Sequence, residues 1–467
     1  MKAGFGLILA CLALAACGPA GRDSEMDAFI DNLMGRMTVE EKIGQLNLPA
    51  GGDIVSGQVF ETDLAELVSS GKAGGFFNVK GVERITEFQR LAIENSRLGI
   101  PLLVGADVIH GYETVFPIPL ALSCSWNPSS IERMARISAV EASADGVNWT
   151  FSPMVDICRD ARWGRIAEGS GEDPWLGSQM AAAYVRGYQG ADMSHDDEIM
   201  ACVKHFAAYG APEAGRDYTA VDMSRQKLYN CYLPPYQAAV EAGAGSVMTS
   251  FNLLDGEHPT ASRWLLDGLL RRQWGFDGMV VTDYNSISDM ATLGLAEAPE
   301  AAAMSLKAGT DMDMVSNAYL NTLGDSYQKG LISMEELDRA CRRILEAKYR
   351  LGLFSDPYKY CKPQRAETEL YTEEHLKAAR EIAAETFVLL KNDGNILPLQ
   401  KKGKIALIGP LADAGNNMCG MWSQLCVDSR HISLLQAFKE ELGNDAELLY
   451  ARGSNLYYSE KTQQYAT

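Results

Sequence analysis

One carboxylate and several basic side chains stand where apolar runs of this sequence end. Asp283 closes a nearly all-apolar run that begins at Met279, so its carboxylate is expected to face a cavity rather than bulk water. Lys204 and His205 end a second run, and Arg165 follows a third. Basic groups beside a carboxylate lower its pKa and keep it ionised. An ionised carboxylate in a sugar-sized pocket is the nucleophile of a retaining glycosidase, although a structural ion pair explains any one of these residues alone.

The elements that position these residues alternate between strands and helices. Eight short apolar or β-branched runs lie between residues 38 and 355, separated by amphipathic helical patterns, which predicts a (β/α)8 TIM-like barrel. A doubly wound open sheet is the alternative. The first run is the least secure, because a capping box at Thr38 to Glu41 starts a helix beside it. The eight runs are Gly44–Leu48, Gly74–Val79, Leu102–Asp107, Val147–Pro153, Met200–Phe206, Ser246–Asn252, Met279–Tyr284 and Thr310–Met314.

In such a barrel the active site is built at the carboxyl ends of the strands. Polar residues that are far apart in the sequence stand at these ends. Charged groups at the ends of buried strands lose solvation unless they are paired or used, so several together predict a shared site. These residues are Asp107, Lys204, His205, Asn252, Asp283 and Asp311.

The pattern changes after the barrel, which is assigned to residues 27–352. A linker with two prolines (353–372) is followed by a helix at 373–392, two strands at 404–408 and 446–450, and a helix between those strands. Two parallel strands cannot bury both faces of a sheet. We therefore expect residues 373–467 to form an incomplete α/β sandwich domain, within which the chain stops.

The first residues indicate export. Lys2 precedes the uncharged run Leu7 to Ala16, which has the length of a signal peptide and is too short to span a membrane. The sequence Leu14-Ala15-Ala16-Cys17 resembles a bacterial lipobox, which predicts a signal peptide at 1–16, a lipid anchor on Cys17 and a short tether over 17–26. A periplasmic or outer-membrane lipoprotein is expected, and a plain signal peptide with an incidental cysteine is the alternative.

Composition excludes other classes. The chain has 42 lysines and arginines against 61 aspartates and glutamates, a formal net charge of −19, which disfavours a nucleic-acid partner. Its cysteines show no CxxC pair and no metal spacing with histidine, so no metal or cofactor is expected. Cys419 and Cys426 are close enough to bridge in an oxidising compartment, although the unbridged pair is the favoured expectation. The sequence does not indicate an oligomeric state.

Four segments carry a resemblance to a known family. Gly275 to Tyr284 resembles the nucleophile segment of glycoside hydrolase family 3, and Lys204 to Gly210 resembles its Lys-His-Phe sugar-binding segment. Arg159 to Arg165 is similar to its Arg-Trp-Gly-Arg segment, and Asp107 to Gly111 to the segment that holds the sugar's non-reducing end. These segments occur in the family's order, and the similarity spans residues 27–460.

The resemblance implies a role for each matching residue. Asp283 would be the nucleophile that forms the glycosyl-enzyme intermediate, while Tyr284 and Trp422 would offer apolar faces to a sugar ring. Phe251 stands where many relatives carry tyrosine, so it is left out of the site. In two-domain members the general acid/base is a glutamate of the second domain, expected beyond Thr467, and none is named here. The residues implied to bind sugar hydroxyls are Asp107, Arg165, Lys204, His205 and Arg216.

The implied activity is that of an exo-acting β-glucosidase acting on oligosaccharides or other glycosides. A β-xylosidase of the same family is the nearest alternative. A glucosaminidase is disfavoured, because Ala208-Tyr209-Gly210 replaces the Gly-His-Gly of those members. Two further readings come from other classes: Lys204 could form a Schiff base, as in barrel aldolases, or the chain could be a sugar-binding lipoprotein that lacks an acid/base.

Overall fold

The computed structural model describes residues 24–53, 63–423 and 425–457. The predicted signal peptide, Cys17 and most of the predicted tether lie outside these residues. Within the described part, no helix combines the length and the apolar character that a membrane span requires.

The first and larger unit is a mixed α/β structure around a curled parallel sheet. Strands β2 to β7 form a six-stranded sheet in sequential order, and β1 pairs in parallel with β8. Single parallel bridges, Ala50 to Phe77 and Val281 to Met312, join this pair to the two edges of the larger sheet. The strands are β1 Asn47–Leu48, β2 Gly75–Phe77, β3 Leu103–Ala106, β4 Trp149–Thr150, β5 Met200–Phe206, β6 Ser246–Thr249, β7 Met279–Val281 and β8 Asp313–Met314.

Each strand lies inside one of the eight predicted runs, because a strand buried on both faces is a nearly continuous apolar run. All seven residues of β5 are buried, including Lys204 and His205. The first run needs a correction, since Gly44 and Gln45 belong to the preceding helix. That helix begins at the predicted capping box, in which Thr38 Oγ1 accepts from the Glu41 amide and the Glu41 carboxylate accepts from the Thr38 amide.

Helices connect the strands and cover the sheet. Several begin with proline in the first turn, where its missing N–H costs no hydrogen bond. Two connecting segments, Leu228–Tyr232 and Trp264–Gln273, are π-helical. The α-helices of this unit are α1 Ser24–Met34, α2 Val39–Gln45, α3 Leu64–Ser69, α4 Val82–Asn95, α5 Pro119–Ser123, α6 Pro128–Ala144, α7 Pro174–Gln189, α8 Arg225–Lys227, α9 Pro234–Glu241, α10 Ser286–Thr292, α11 Ala298–Ala308, α12 Ala318–Gln328 and α13 Met334–Arg350.

The smaller unit follows helix α14 (Pro363–Glu369) and contains α15 (Glu373–Glu385), β9 (Gly403–Ile408), α16 (Leu434–Leu442) and β10 (Ala446–Ala451). Strands β9 and β10 pair in parallel over their whole length, which matches the two predicted strands. Apolar side chains of the segment between α15 and β9 are exposed, Leu390 by 91%.

The predicted helix at 373–392 is seven residues too long, because α15 ends at Glu385. Its contacts explain the end point. Glu381 pairs with Arg133 on α6, and Glu385 accepts hydrogen bonds from Ser130 and from Asn127, the residue that caps the start of α6. Glu385, the last residue of α15, thus lies against the first residues of α6.

Candidate active site

A cavity of about 340 Å³ opens at the carboxyl ends of the strands. Three of its charged residues come from strand ends: Asp107 follows β3, Lys204 lies in β5 and Asp283 follows β7. Parallel strands bring such ends together although their sequence positions lie far apart. The smaller unit adds Met421 and Trp422 to the wall. The cavity is lined by Phe77, Asp107, Phe151, Arg165, Glu168, Lys204, Tyr218, Met248, Phe251, Asp283, Tyr284, Asn285, Asp289, Met314, Met421 and Trp422.

Asp107 and Lys204 form an ion pair on one wall of the cavity. The Lys204 Nζ donates to Asp107 Oδ1 at 2.8 Å, and the two side chains are only 3% and 11% exposed. The Lys204 Nζ also lies 5.3 Å from the centre of the Trp422 ring. The pair therefore presents a charged donor and a charged acceptor in a largely water-free place, where hydrogen bonds to hydroxyl groups are strong.

Arg165 is held by a partner that the sequence analysis did not identify. Its Nε and Nη2 donate to the two carboxylate oxygens of Glu168 at 2.7 and 2.9 Å. Arg165 precedes a short 3-10 turn, Ile166–Glu168, and Glu168 ends it. The spacing of three residues was the signal in the sequence that could have indicated this pair. Arg165 Nη2 also lies 3.0 Å from His205 Nε2. The guanidinium is thus fixed in direction before any ligand arrives.

Asp283 is buried at the base of the cavity. Its Oδ1 accepts from the amide of Tyr284 at 2.7 Å, while Oδ2 has no hydrogen-bond partner in the described part of the chain. Burial raises the pKa of Asp283 to about 7, although the charges of Arg165 and Lys204 act to lower it. This corrects the expectation that basic neighbours lower this pKa. Both cations are already paired with other carboxylates, so the loss of hydration dominates.

His205 lies behind the cavity wall rather than in it. The side chain is 1% exposed and is absent from the described lining residues. Its Nδ1 lies 2.8 Å from Asp156 Oδ2, and its Nε2 lies 3.4 Å from Asp283 Oδ2. Burial lowers the pKa of His205 well below its ordinary value, and the nearby Arg165 and Lys204 act in the same direction. His205 is therefore neutral and faces Asp283.

Asp156 is a second residue that sequence reasoning missed. It follows strand β4 by six residues and is buried, and burial raises its pKa to about 6. The available signal was a lone carboxylate inside the apolar stretch 149–157. Such a group needs partners when it is buried. The partner, the ring of His205, lies 49 residues away and cannot be read from spacing.

Two predicted residues, Asn252 and Asp311, are buried and are not among the described lining residues; Asp311 pairs with Arg271 and Arg343 instead.

The remaining predicted residues lie at the cavity or at the surface. Tyr284 and Trp422 line the cavity, as does Phe251, which the sequence analysis left out. Phe251 offers no hydroxyl to Asp283. Arg216 is exposed and is not among the described lining residues, so the structure does not support its assignment as a sugar ligand. It follows a 3-10 turn on a loop whose residue Tyr218 reaches the cavity instead.

A short loop of the smaller unit carries Trp422 to the cavity, and Cys419 and Cys426 close this loop with a disulfide. The favoured expectation of an unbridged pair is therefore wrong. His110 Nε2 hydrogen-bonds to the Met421 carbonyl at 2.6 Å. Farther along, Arg430 pairs with Glu113 of the larger unit, where their nearest atoms lie 2.6 Å apart. The disulfide, the hydrogen bond to His110 and the ion pair of Arg430 together hold this loop in place, and with it the Trp422 ring beside Lys204.

Comparison with known families gives two matches that together cover most of the chain. Residues 38–347 match the glycosyl hydrolase family 3 N terminal domain, and residues 387–466 match the glycosyl hydrolase family 3 C-terminal domain. The chain belongs to glycosyl hydrolase family 3. The family resemblance of the four motif segments is thereby confirmed.

The similar curated proteins include a beta-glucosidase and a beta-xylosidase by name. A periplasmic beta-glucosidase of Salmonella typhimurium is 43% identical over 92% of this chain and 56% of that protein. A beta-xylosidase of Formosa agariphila is 37% identical over 80% of this chain and 55% of that protein. The crystal structure of a beta-glucosidase from Listeria innocua in complex with isofagomine superimposes with a TM-score of 0.87 at 39% identity, covering 94% of this chain and 61% of that one. The chain spans about half the length of the curated relatives that it matches.

Proposed function

We propose that this family 3 chain carries the glycone site and the nucleophile of a retaining, exo-acting β-glucosidase. One observation supports this most: a desolvated carboxylate, Asp283, lies at the base of a cavity whose other charged side chains already have hydrogen-bond partners. The cavity lies near the lower end of the size range of small-molecule sites, which favours a terminal sugar over a long chain. The named β-glucosidases among the relatives favour glucose.

The proposed reaction has two steps. The Asp283 carboxylate attacks the anomeric carbon, the bond from that carbon to the aglycone oxygen breaks, and this oxygen leaves with the bonding electrons and takes up a proton. Water then hydrolyses the glycosyl–aspartate ester and gives a sugar of retained configuration. We assign no general acid or base among the described residues. An aryl leaving group of low pKa needs little protonation, so the first step can be tested without that assignment.

Binding of the sugar is assigned to the paired groups around Asp283. Asp107 accepts and Lys204 donates hydrogen bonds to hydroxyl groups, and Arg165 donates from the side opposite Glu168. Aromatic side chains with an apolar face and a polar rim suit a sugar ring, and Tyr284 and Trp422 provide them. His205 is proposed to act in this subsite through Arg165 and Asp283, since it is buried behind both.

Hydrolysis of an aryl β-glucoside with a strongly acidic phenol tests the assignment. The chain should release a burst of phenol and retain one glucosyl group on Asp283. Asp283→Ala should abolish the burst while its circular dichroism spectrum stays that of the wild type. Asp325→Asn, an exposed carboxylate on α12, is the matched control and should leave the burst unchanged. A wild-type-like burst from folded Asp283→Ala protein would refute the proposal.

The β-xylosidase alternative is supported less strongly, by relatives that carry this name. The ratio of kcat/KM for aryl glucoside and aryl xyloside decides between the two sugars. A chain that binds glucose without any burst would instead be a sugar-binding protein. The Schiff-base reading is disfavoured because Lys204 is engaged with Asp107 at 2.8 Å. An adduct of Lys204 after borohydride treatment with a carbonyl substrate would revive it.

The finer points of architecture and location belong to the same proposal. The two single bridges at the sheet edges support closure of the eight strands into a (β/α)8 barrel, with residues 27–352 as barrel, 353–372 as linker and 373–467 as part of an α/β sandwich domain. The periplasmic relative supports export, with a lipid anchor on Cys17 and a tether at 17–26. Loss of detergent partitioning in Cys17→Ser would support the anchor, and an unmodified wild-type N-terminus would refute it.

A further inference from the structure

The ring of His205 lies between two partners of opposite hydrogen-bonding type. Arg165 has only donors, so its Nη2, at 3.0 Å, requires His205 Nε2 to be an acceptor. Asp156 Oδ2, at 2.8 Å from Nδ1, requires that nitrogen to carry the proton. The two contacts select the same neutral form, with hydrogen on Nδ1 and a lone pair on Nε2.

Asp156 is held rigidly for this role. The same Oδ2 accepts from the His205 backbone amide at 2.9 Å, so one oxygen fixes both the ring and the chain of that residue. Tyr236 donates to Asp156 Oδ1, and its hydroxyl also lies 2.6 Å from the His205 carbonyl. All three residues are nearly inaccessible to water. Gly210 allows this arrangement, because a Cβ there would overlap the Ile157 carbonyl and crowd Asp156.

We propose that Asp156 is a positioning residue of the active site: it fixes His205 as the Nδ1–H tautomer, which accepts a hydrogen bond from Arg165 and places no hydrogen-bond donor toward the nucleophile Asp283. This inference rests on the proposed function of Asp283. The His205 Nε2 lies 3.4 Å from Asp283 Oδ2, and that oxygen has no hydrogen-bond partner within the described residues. A carboxylate that receives no hydrogen bond on one oxygen keeps a more basic and more reactive pair of electrons there.

The opposite tautomer would change the site in two ways. An Nε2–H would point a donor at the Nη2 donor of Arg165, so Arg165 would lose its His205 acceptor and would be held by Glu168 alone. The same N–H would donate to Asp283 Oδ2, stabilise the anion and lower the pKa of this carboxyl. Asp156 therefore controls both the sugar subsite and the basicity of the nucleophile without touching the substrate.

Ring-¹⁵N-labelled histidine in the full chain tests the tautomer directly. The chain has six histidines, and the His205 signals are identified by their loss in His205→Gln. From pH 5 to 9 we expect a protonated Nδ1 and an unprotonated Nε2. An Nε2–H tautomer in the wild type would overturn the proposal. This measurement needs no turnover, so it separates failure of the proposal from failure of the proposed glucosidase function, which the wild-type aryl glucoside burst reports.

Two matched variants test the consequence. Asp156→Leu removes the acceptor at similar volume. It should mix the tautomers and move the acid limb of the pH profile to lower pH. It should also lower kcat/KM about 10- to 100-fold, the range found when a carboxylate that orients a metal-binding histidine is removed. Asp156→Asn keeps one acceptor oxygen toward His205 and can donate to Tyr236; it should keep the tautomer and stay within about threefold of the wild type. The proposal would be overturned if Asp156→Leu kept the wild-type tautomer and pH profile. It would also be overturned if both variants lost kcat/KM to the same extent while the tautomer stayed unchanged. If Asp156→Leu does not fold, the wild-type tautomer and the Asp156→Asn profile decide.

Discussion

Replacing the nucleophile should make this protein more stable at neutral pH. Burial raises the pKa of Asp283 from 3.8 to about 7 in the folded chain, so the unfolded chain releases this proton more readily than the folded one. Folded stability is then greatest below pH 3.8, falls as the pH rises from 3.8 to 7, and is level above pH 7. Three pKa units correspond to a loss of about 4 kcal/mol at most.

Asp283→Asn removes this loss, because the asparagine side chain does not titrate. Its oxygen can keep the hydrogen bond from the Tyr284 amide. The free energy of unfolding of variant and wild type should therefore be equal near pH 3.5 and diverge between pH 4 and 7, with the variant up to about 4 kcal/mol more stable at pH 8.

Urea unfolding of both proteins from pH 3.5 to 9, followed by tryptophan fluorescence, gives this difference. Asp325→Asn is the matched control, because it removes an exposed carboxylate and should change the stability by less than about 0.5 kcal/mol at every pH. A variant that is less stable than the wild type at pH 8, or a difference independent of pH, would refute the argument that Asp283 is held desolvated.

Three further outcomes follow from the site. The acid limb of kcat/KM for an aryl glucoside should lie near pH 7, since protonated Asp283 is not a nucleophile; activity that rises toward pH 5 would contradict this. Arg165→Lys loses the bidentate contact with Glu168 and should lower kcat/KM, measured by steady-state kinetics, about 10- to 100-fold. The exposed control Arg216→Lys should leave kcat/KM unchanged. Cys419→Ser opens the disulfide of the loop that carries Trp422, and should raise KM about three- to tenfold with little change in kcat; an unchanged KM would show that the other contacts hold the loop alone.

The sequence predicted the strands and the charged cavity because both follow from local patterns. Buried parallel strands are apolar runs, so a polar residue at the end of a run marks the edge of the sheet. This rule predicted that Asp107, Lys204 and Asp283 line one cavity, although Asp107 and Asp283 are 176 positions apart in the sequence. The rule needs no knowledge of side-chain contacts.

Features that depend on tertiary contacts were missed. Asp156 contacts the His205 ring and Glu168 contacts the Arg165 guanidinium, and both contacts form only in the folded chain. The pKa of Asp283 was expected to fall, because the sequence shows the nearby cations but not that each already has a carboxylate partner. Arg216 was assigned by motif alone, and its loop turns Tyr218 inward instead.

The central claim is that Asp283 is the group that attacks the sugar. An aryl 2-deoxy-2-fluoro-β-glucoside with a strongly acidic phenol tests it most directly, because fluorine slows both steps while the good leaving group lets the first proceed. After incubation of the full chain, digestion and tandem mass spectrometry should place one fluoroglucosyl group on the Asp283 side chain, and none on any residue of Asp283→Asn. A label on Asp107, Glu168 or Asp289 with Asp283 unmodified would contradict the account.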